Sequence, residues 1–263
     1  MKIQNVKLIC ALFAVAAMGT TGASANSVVL AAGSPWASWG IAGGSYDPYQ
    51  DGDGGEFGAL NVVGNTAQST TPAGYSSLAE YTFGAGDNPS GSFAGLTAFE
   101  TFCVEAGNND VYFNPGQVYN SSLSENIIGG RPMTLSVGTA WLYSQFAQGV
   151  LAGYDYTTDG GRGNSAGDLQ NAIWFLQGEI GNPGNAFSNA ALTLFGNTVA
   201  TESVNAYTTN FGVEVMNLTD SNGASAQNQL FYSEAVPDGG LTVGLLGIAL
   251  LALAFAKRRT RVA

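Results

Sequence analysis

The chain has 263 residues, 45% of them hydrophobic, and a formal net charge of −11 with no histidine at all. The missing histidine excludes Ser-His-Asp and Cys-His catalysis and every His-bearing zinc site. The acidic balance repels phosphate backbones and so excludes nucleic acid as a partner.

From the N-terminus, Lys2 and Lys7 precede an apolar stretch from Leu8 to Met18, and Ala23-Ser24-Ala25 supplies small residues for cleavage. This pattern predicts a secretory signal peptide over residues 1–25, cut after Ala25. Cys10 lies inside it and leaves with it, so Cys103 is the one cysteine of the mature protein. The predicted mature domain, residues 26–235, holds only Arg131 and Arg162 against eighteen acidic residues, a net charge of −16. Its 210 residues are enough for one sizeable domain or two small ones.

Within that domain, residues 26–65 are Gly-rich with short apolar stretches at Val28–Ala32 and Phe57–Val63. Asp47, Asp51, Asp53 and Glu56 cluster there, and oxygen ligands so spaced make a weak calcium candidate, although Gly55 breaks the EF-hand pattern. A solvated acidic turn fits the same residues. Strands are expected at Tyr75–Phe83, Leu96–Glu105 and Gln117–Ser124, where β-branched and aromatic residues concentrate. The period then changes to helical. A first helix is expected within Leu135–Leu151, capped by Thr134 or Ser136; a second from a capping-box-like Ser165-Ala166-Gly167-Asp168 through Leu176; a third over Phe187–Thr201. Strands return at Phe211–Leu218 and Leu230–Ser233. The order predicts an α+β fold: a β-sandwich or barrel-like framework carrying a three-helix insertion.

The C-terminal 28 residues, 236–263, read differently. Val236-Pro237-Asp238-Gly239-Gly240 is followed by an apolar run, Leu241–Ala256, and by Lys257-Arg258-Arg259-Thr260-Arg261. A run that is apolar all round and followed by positive charge predicts a membrane helix with its C-terminal end on the cytoplasmic side. At 16 residues it is shorter than the roughly 20 that span comfortably, so flanking side chains must snorkel or the bilayer must thin. The three elements resemble the PEP-CTERM class of sorting signals in its Val-Pro-Asp variant, with Gly239 where Ser is common. That resemblance implies an exported protein, transiently anchored in the inner membrane, processed by an exosortase-type enzyme, and delivered to the cell envelope or the extracellular space.

Two short segments carry possible chemistry. Phe102-Cys103-Val104 ends a predicted strand, and Leu169-Gln170-Asn171-Ala172-Ile173-Trp174 opens a predicted helix. Together they resemble the paired motifs of the thioester domains of bacterial surface adhesins. The resemblance implies an internal thioester between Cys103 and Gln170, formed with loss of ammonia and spent once on a nucleophile of a surface or matrix target. Trp174 and Ile173 share the Gln170 face of the helix, and with Phe102 they are the expected shield of that bond. Read singly, Cys103 is equally a buried thiol and Gln170 an ordinary helix residue. Glu105, two residues beyond Cys103, fits either a role in forming the bond or a place on the exposed face of the strand. The sequence thus leaves two functions open: covalent capture by an adhesin-like protein that is no turnover enzyme and needs no cofactor, or a non-catalytic structural protein of the matrix or envelope.

Overall fold

The structure, a computed structural model, describes residues 26–31, 49–51, 54–63, 66–69, 71–84, 93–106, 118–128, 133–157, 161–206 and 209–233. The predicted signal peptide with Ala23 and Ala25, the residues Asp47 and Asp53, the Val236–Gly240 motif and the Leu241–Ala256 run lie outside them. Among the described residues no helix is long and apolar enough to cross a membrane.

The architecture is α+β, with three helices among the described residues and antiparallel strands on both sides of them in the chain. Strands β1 (Asn26–Ala31), β2 (Gln50–Asp51), β3 (Gly54–Gly55), β4 (Phe57–Val63), β5 (Thr66–Gln68), β6 (Glu80–Thr82), β7 (Thr97–Thr101), β8 (Val118–Ser124), β9 (Asn126–Ile127) and β10 (Met133–Thr134) come first. Helices α1 (Val137–Ala147), α2 (Arg162–Leu176) and α3 (Ala186–Val199) follow, and β11 (Val213–Thr219) and β12 (Gln229–Tyr232) end the domain. The main sheet runs β12-β11-β8-β1-β4-β7-β6, with β5 on β4; β2 pairs β3 and β9 pairs β10 in separate ribbons.

That sheet does not stop at its ends. Leu230 N–H donates to the Phe102 carbonyl at 3.0 Å and Val104 N–H to the Asn228 carbonyl at 3.1 Å, with Cys103 opposite Gln229 in an antiparallel bridge. The continuation of β7 therefore pairs with β12, and the ladder β12-β11-β8-β1-β4-β7 returns to where it began. This pairing covers the β12 edge over the short stretch Phe102–Val104.

Alternation along the strands sorts side chains onto two faces. Phe57, Ala59, Phe99, Cys103, Tyr119, Met216 and Leu218 form one buried cluster. Phe102, Val104, Val213, Val215, Leu230 and Tyr232 face the other way and pack with α1 and α2, whose Leu142, Tyr143, Phe146, Leu169 and Ile173 fill the larger core. Helix α1 starts where Ser136 accepts a hydrogen bond from Thr139 N–H at 3.2 Å, a side-chain N-cap. Helix α3 is capped in the same way by Asn185 and bends at Gly196, whose φ of 80° an L side chain rarely adopts.

Two local expectations fail for identifiable reasons. Tyr75–Phe83 is not one strand: Ser76 N–H bonds to the Ala147 carbonyl and its hydroxyl accepts from Leu78 N–H, which closes a 3-10 turn over Ser77–Ala79 before β6. Helix α2 starts three residues ahead of Ser165, without a side-chain cap, so the capping-box-like run lies inside it. Ser165 instead accepts from Asp155 N–H at 3.1 Å.

The early start of α2 follows from Arg162. Its guanidinium is buried and bidentate on Glu56, with Nε–Oε1 at 2.8 Å and Nη2–Oε2 at 2.7 Å, and it also pairs with Glu100. The Leu78 and Tyr156 carbonyls accept from it at 2.8 and 3.1 Å, and the Tyr49 ring lies 4.2 Å from its central carbon. Tyr154 donates its hydroxyl to Glu56. Burial opposes the positive charge, but the hydrogen bonds and charges of Glu56 and Glu100 reverse that and raise the Arg162 pKa. Removing one partner of such a set strands the others in a dry site. Arg162→Met is expected to lower unfolding free energy by about 3–5 kcal/mol, read from the denaturant midpoint; a midpoint unchanged from the wild type would refute this role.

Candidate functional site

Cys103 occupies the closing rung of the ladder. The bonds to β12 are made by its neighbours Phe102 and Val104, so the N–H and C=O of Cys103 point the opposite way, toward the side where β4 lies. Strand β4 has run out there: Phe57 pairs with Thr101, and the chain turns away at Gly55, whose φ is 140°. Gln170 takes the vacated place. Cys103 N–H donates to Gln170 Oε1 at 3.1 Å, and Gln170 Nε2 donates to the Cys103 carbonyl at 2.7 Å. A side-chain carboxamide thus stands in for a strand neighbour, which satisfies a buried backbone rung.

Helix α2 delivers this carboxamide from a position two turns past Arg162. Gly54 of the β2–β3 ribbon lies against it. A Cβ added at Gly54 would fall 2.4 Å from Gln170 Cγ and 2.9 Å from Trp174 Cη2, so only glycine fits. Of the expected shield, Trp174 therefore lies against the same glycine as Gln170. Phe102 and Ile173 are buried in the core on the helix side, Phe102 edge-on to Phe146 at 4.9 Å between ring centres.

The sulfur has its own partner. Gln229, directly across the ladder, donates from Nε2 to Cys103 Sγ at 3.1 Å. Burial pushes the thiol pKa far up; the Gln229 bond lowers it, and the Glu105 charge raises it further. The thiol is therefore protonated at neutral pH. Gln229 Oε1 and Trp174 Nε1 are buried and have no hydrogen-bond partner among the described residues.

Glu105 is buried and not on the exposed face of the strand. Its carboxylate accepts from Asn228 N–H at 2.7 Å and Asn228 Nδ2 at 3.0 Å. Burial raises its pKa from the ordinary 4.5 to about 7, against the lowering effect of both Asn228 bonds. A group that titrates near neutrality thus lies two residues beyond the thiol.

Of the calcium candidate, Asp47 and Asp53 lie outside the described residues. Glu56 turns inward to Arg162 and Tyr154, while Asp51 belongs to the β2–β3 ribbon, opposite Gly54. Among the described residues no group of three or more His, Cys, Asp or Glu is placed to hold a metal ion. Sequence reasoning missed Gln229, Gly54 and Arg162. The amide run Gln227-Asn228-Gln229 ahead of an apolar strand, and an arginine with only one other in the whole mature region, were the available signals.

Comparison with known families matches residues 235–260 to the VPDSG-CTERM motif. No curated protein and no solved structure matches the chain. The chain therefore carries a PEP-CTERM-like sorting signal, which marks an exported protein sorted by an exosortase-like system to the cell envelope or the extracellular space. Gly239 stands where the motif has Ser.

Two measurements test the site's construction. Gly54→Ala is expected to cost about 1–3 kcal/mol of stability, the usual penalty for overpacking; a denaturant midpoint equal to the wild type's would show that the ribbon does not press on Gln170. For Glu105, the folded protein binds the proton more tightly than the unfolded chain. Its stability contribution is complete below about pH 4.5 and declines as pH rises to about 7. The decline is about 1–3 kcal/mol, and Glu105→Gln is expected to remove it; parallel pH profiles for the two proteins would contradict the assignment.

Proposed function

We propose that the mature domain, residues 26–235, is a single-use covalent capture module built on a Cys103–Gln170 thioester. The observation that supports this most is the reciprocal pair that holds the Gln170 carboxamide on the backbone of Cys103 itself. Rotation about Cα–Cβ carries Sγ from Gln229 toward that carboxamide. Sulfur then attacks Gln170 Cδ, the C–N bond breaks, and the thiol proton leaves with the nitrogen as ammonia. Negative charge that develops on Oε1 meets the Cys103 N–H already directed at it, the logic of an oxyanion hole. The thioester so formed is an activated acyl group, open to an amine or hydroxyl of a surface or matrix target. Capture forms the new acyl bond, breaks C–S and returns the thiol, so each molecule acts once and no turnover enzyme is involved.

The setting suits a bond that must outlast water. Gln170 and Cys103 are buried, Gly54 lies against the Gln170 side chain with Trp174 against the same glycine, and the mature region has no lysine to consume the acyl group. In this reading the Leu241–Ala256 run holds the chain in the inner membrane until the exosortase-type enzyme acts at the Val236–Gly240 motif. The neutral, fully buried thiol among Phe57, Phe99, Tyr119 and Met216 favours a second reading, a structural protein of the envelope or matrix in which Cys103 is inert.

Intact mass separates the two. The capture reading expects a protein lighter by one ammonia than its sequence, which gains one methylamine at Gln170; Cys103→Ala and Gln170→Ala each lack both changes. A wild-type protein of full mass whose thiol titrates after unfolding leaves only the structural reading.

A further inference from the structure

Gln229 is fully buried and faces the sulfur with half of its hydrogen-bonding capacity used. Its Nε2 donates to Cys103 Sγ at 3.1 Å, while Oε1, on the same rigid carboxamide, has no partner among the described residues. A buried acceptor left unpaired is costly, and sites that hold one reject ligands unable to supply the matching donor. The cross-ladder bridge to Cys103, the strand pairing of Gln229 with Met216 and the Nε2–Sγ bond hold this carboxamide at the sulfur.

We infer that Gln229 is a specificity-determining residue that directs the site toward primary amines, such as a lysine side chain or an amino sugar, and against hydroxyls. The inference rests on the thioester reading and names its substrate class. A primary amine brings two N–H bonds. When its nitrogen attacks the Gln170 carbonyl carbon, the C–S bond breaks, one proton passes to the departing sulfur and restores the Cys103 thiol. The second N–H remains on the new amide and meets Gln229 Oε1. An alcohol gives its only O–H proton to the sulfur, and the ester formed has no donor for Oε1. A secondary amine fails in the same way, because its single N–H is spent. The carboxamide serves two separate tasks, Nε2 to hold the sulfur and Oε1 to receive the amine, and the choice between amines depends on Oε1 alone.

The test uses the full-length protein with methylamine and dimethylamine, two amines of similar basicity, and reads adducts by intact mass. Wild type is expected to favour methylamine strongly. Gln229→Met, of similar length but without the acceptor, narrows that ratio by about tenfold or more. Gln229→Glu keeps an acceptor in place and is expected to stay close to the wild-type ratio. A wild-type protein of full mass before any amine is added overturns the thioester and this inference together. A wild-type thioester with an unchanged ratio in Gln229→Met overturns this inference alone. So does a wild type that takes up dimethylamine as readily as methylamine, whichever variants fold.

Discussion

The buried pairing of Arg162 with Glu56 and Glu100 is the constraint on which the rest of the structure depends. Two carboxylates on adjoining parts of the sheet, one just before β4 and one on β7, cannot be taken out of water without a cation between them. One guanidinium supplies it, with its remaining donors on the Leu78 and Tyr156 carbonyls and a tyrosine ring beside it. Because Arg162 is the first residue of α2, this pairing pins the helix against β4 and β7 at a set point. Everything α2 presents to the sheet, Gln170 included, is positioned from that anchor.

What α2 presents is a carboxamide in place of a strand. The pairing of Phe102 and Val104 with β12 leaves the opposite rung of Cys103 without a strand partner once β4 turns off at Gly55. An apolar helix face would have left that N–H and C=O without partners, at a cost of about 1–3 kcal/mol each. Gln170 meets both with one group, and glycine at position 54 leaves room for it. The same economy brings the Gln170 carboxamide onto the backbone of the residue that carries the thiol, with a hydrogen-bond donor on the carboxamide oxygen. Structural closure and candidate chemistry share the same atoms, which is why a structural role and a capture role both remain consistent with so dry a site.

Legibility from sequence divided along physical lines. The apolar stretch at Phe57–Val63 coincides with β4, and α1 with its Ser136 cap was nearly readable, because apolar runs and capping are local properties. Tyr75–Phe83 misled because serine side chains offer the backbone a turn in place of a ladder. The start of α2 misled because a long-range ion pair outweighed a local capping box. Glu56 read as part of an acidic turn, yet the fold takes it inside to a partner 106 residues along the chain. Glu105 looked equally at home on an exposed face, and Asn228, 123 residues further along the chain, meets it in the interior instead.

The sequence by itself determined what needs no neighbour: the alternating and helical periods, the missing histidine, and the terminal Val-Pro-Asp signal with the sorting it implies. It also named Cys103 and Gln170 as a pair, because their flanking residues form recognisable short motifs. Only the tertiary structure decided that they meet, that a second glutamine faces the sulfur, and that glycine must lie over the first. Those facts depend on the pairing of β7 with β12 and on a buried charge pair, interactions between residues more than a hundred positions apart whose strength comes from the exclusion of water. No local pattern encodes that exclusion; it exists only once the chain has folded around it.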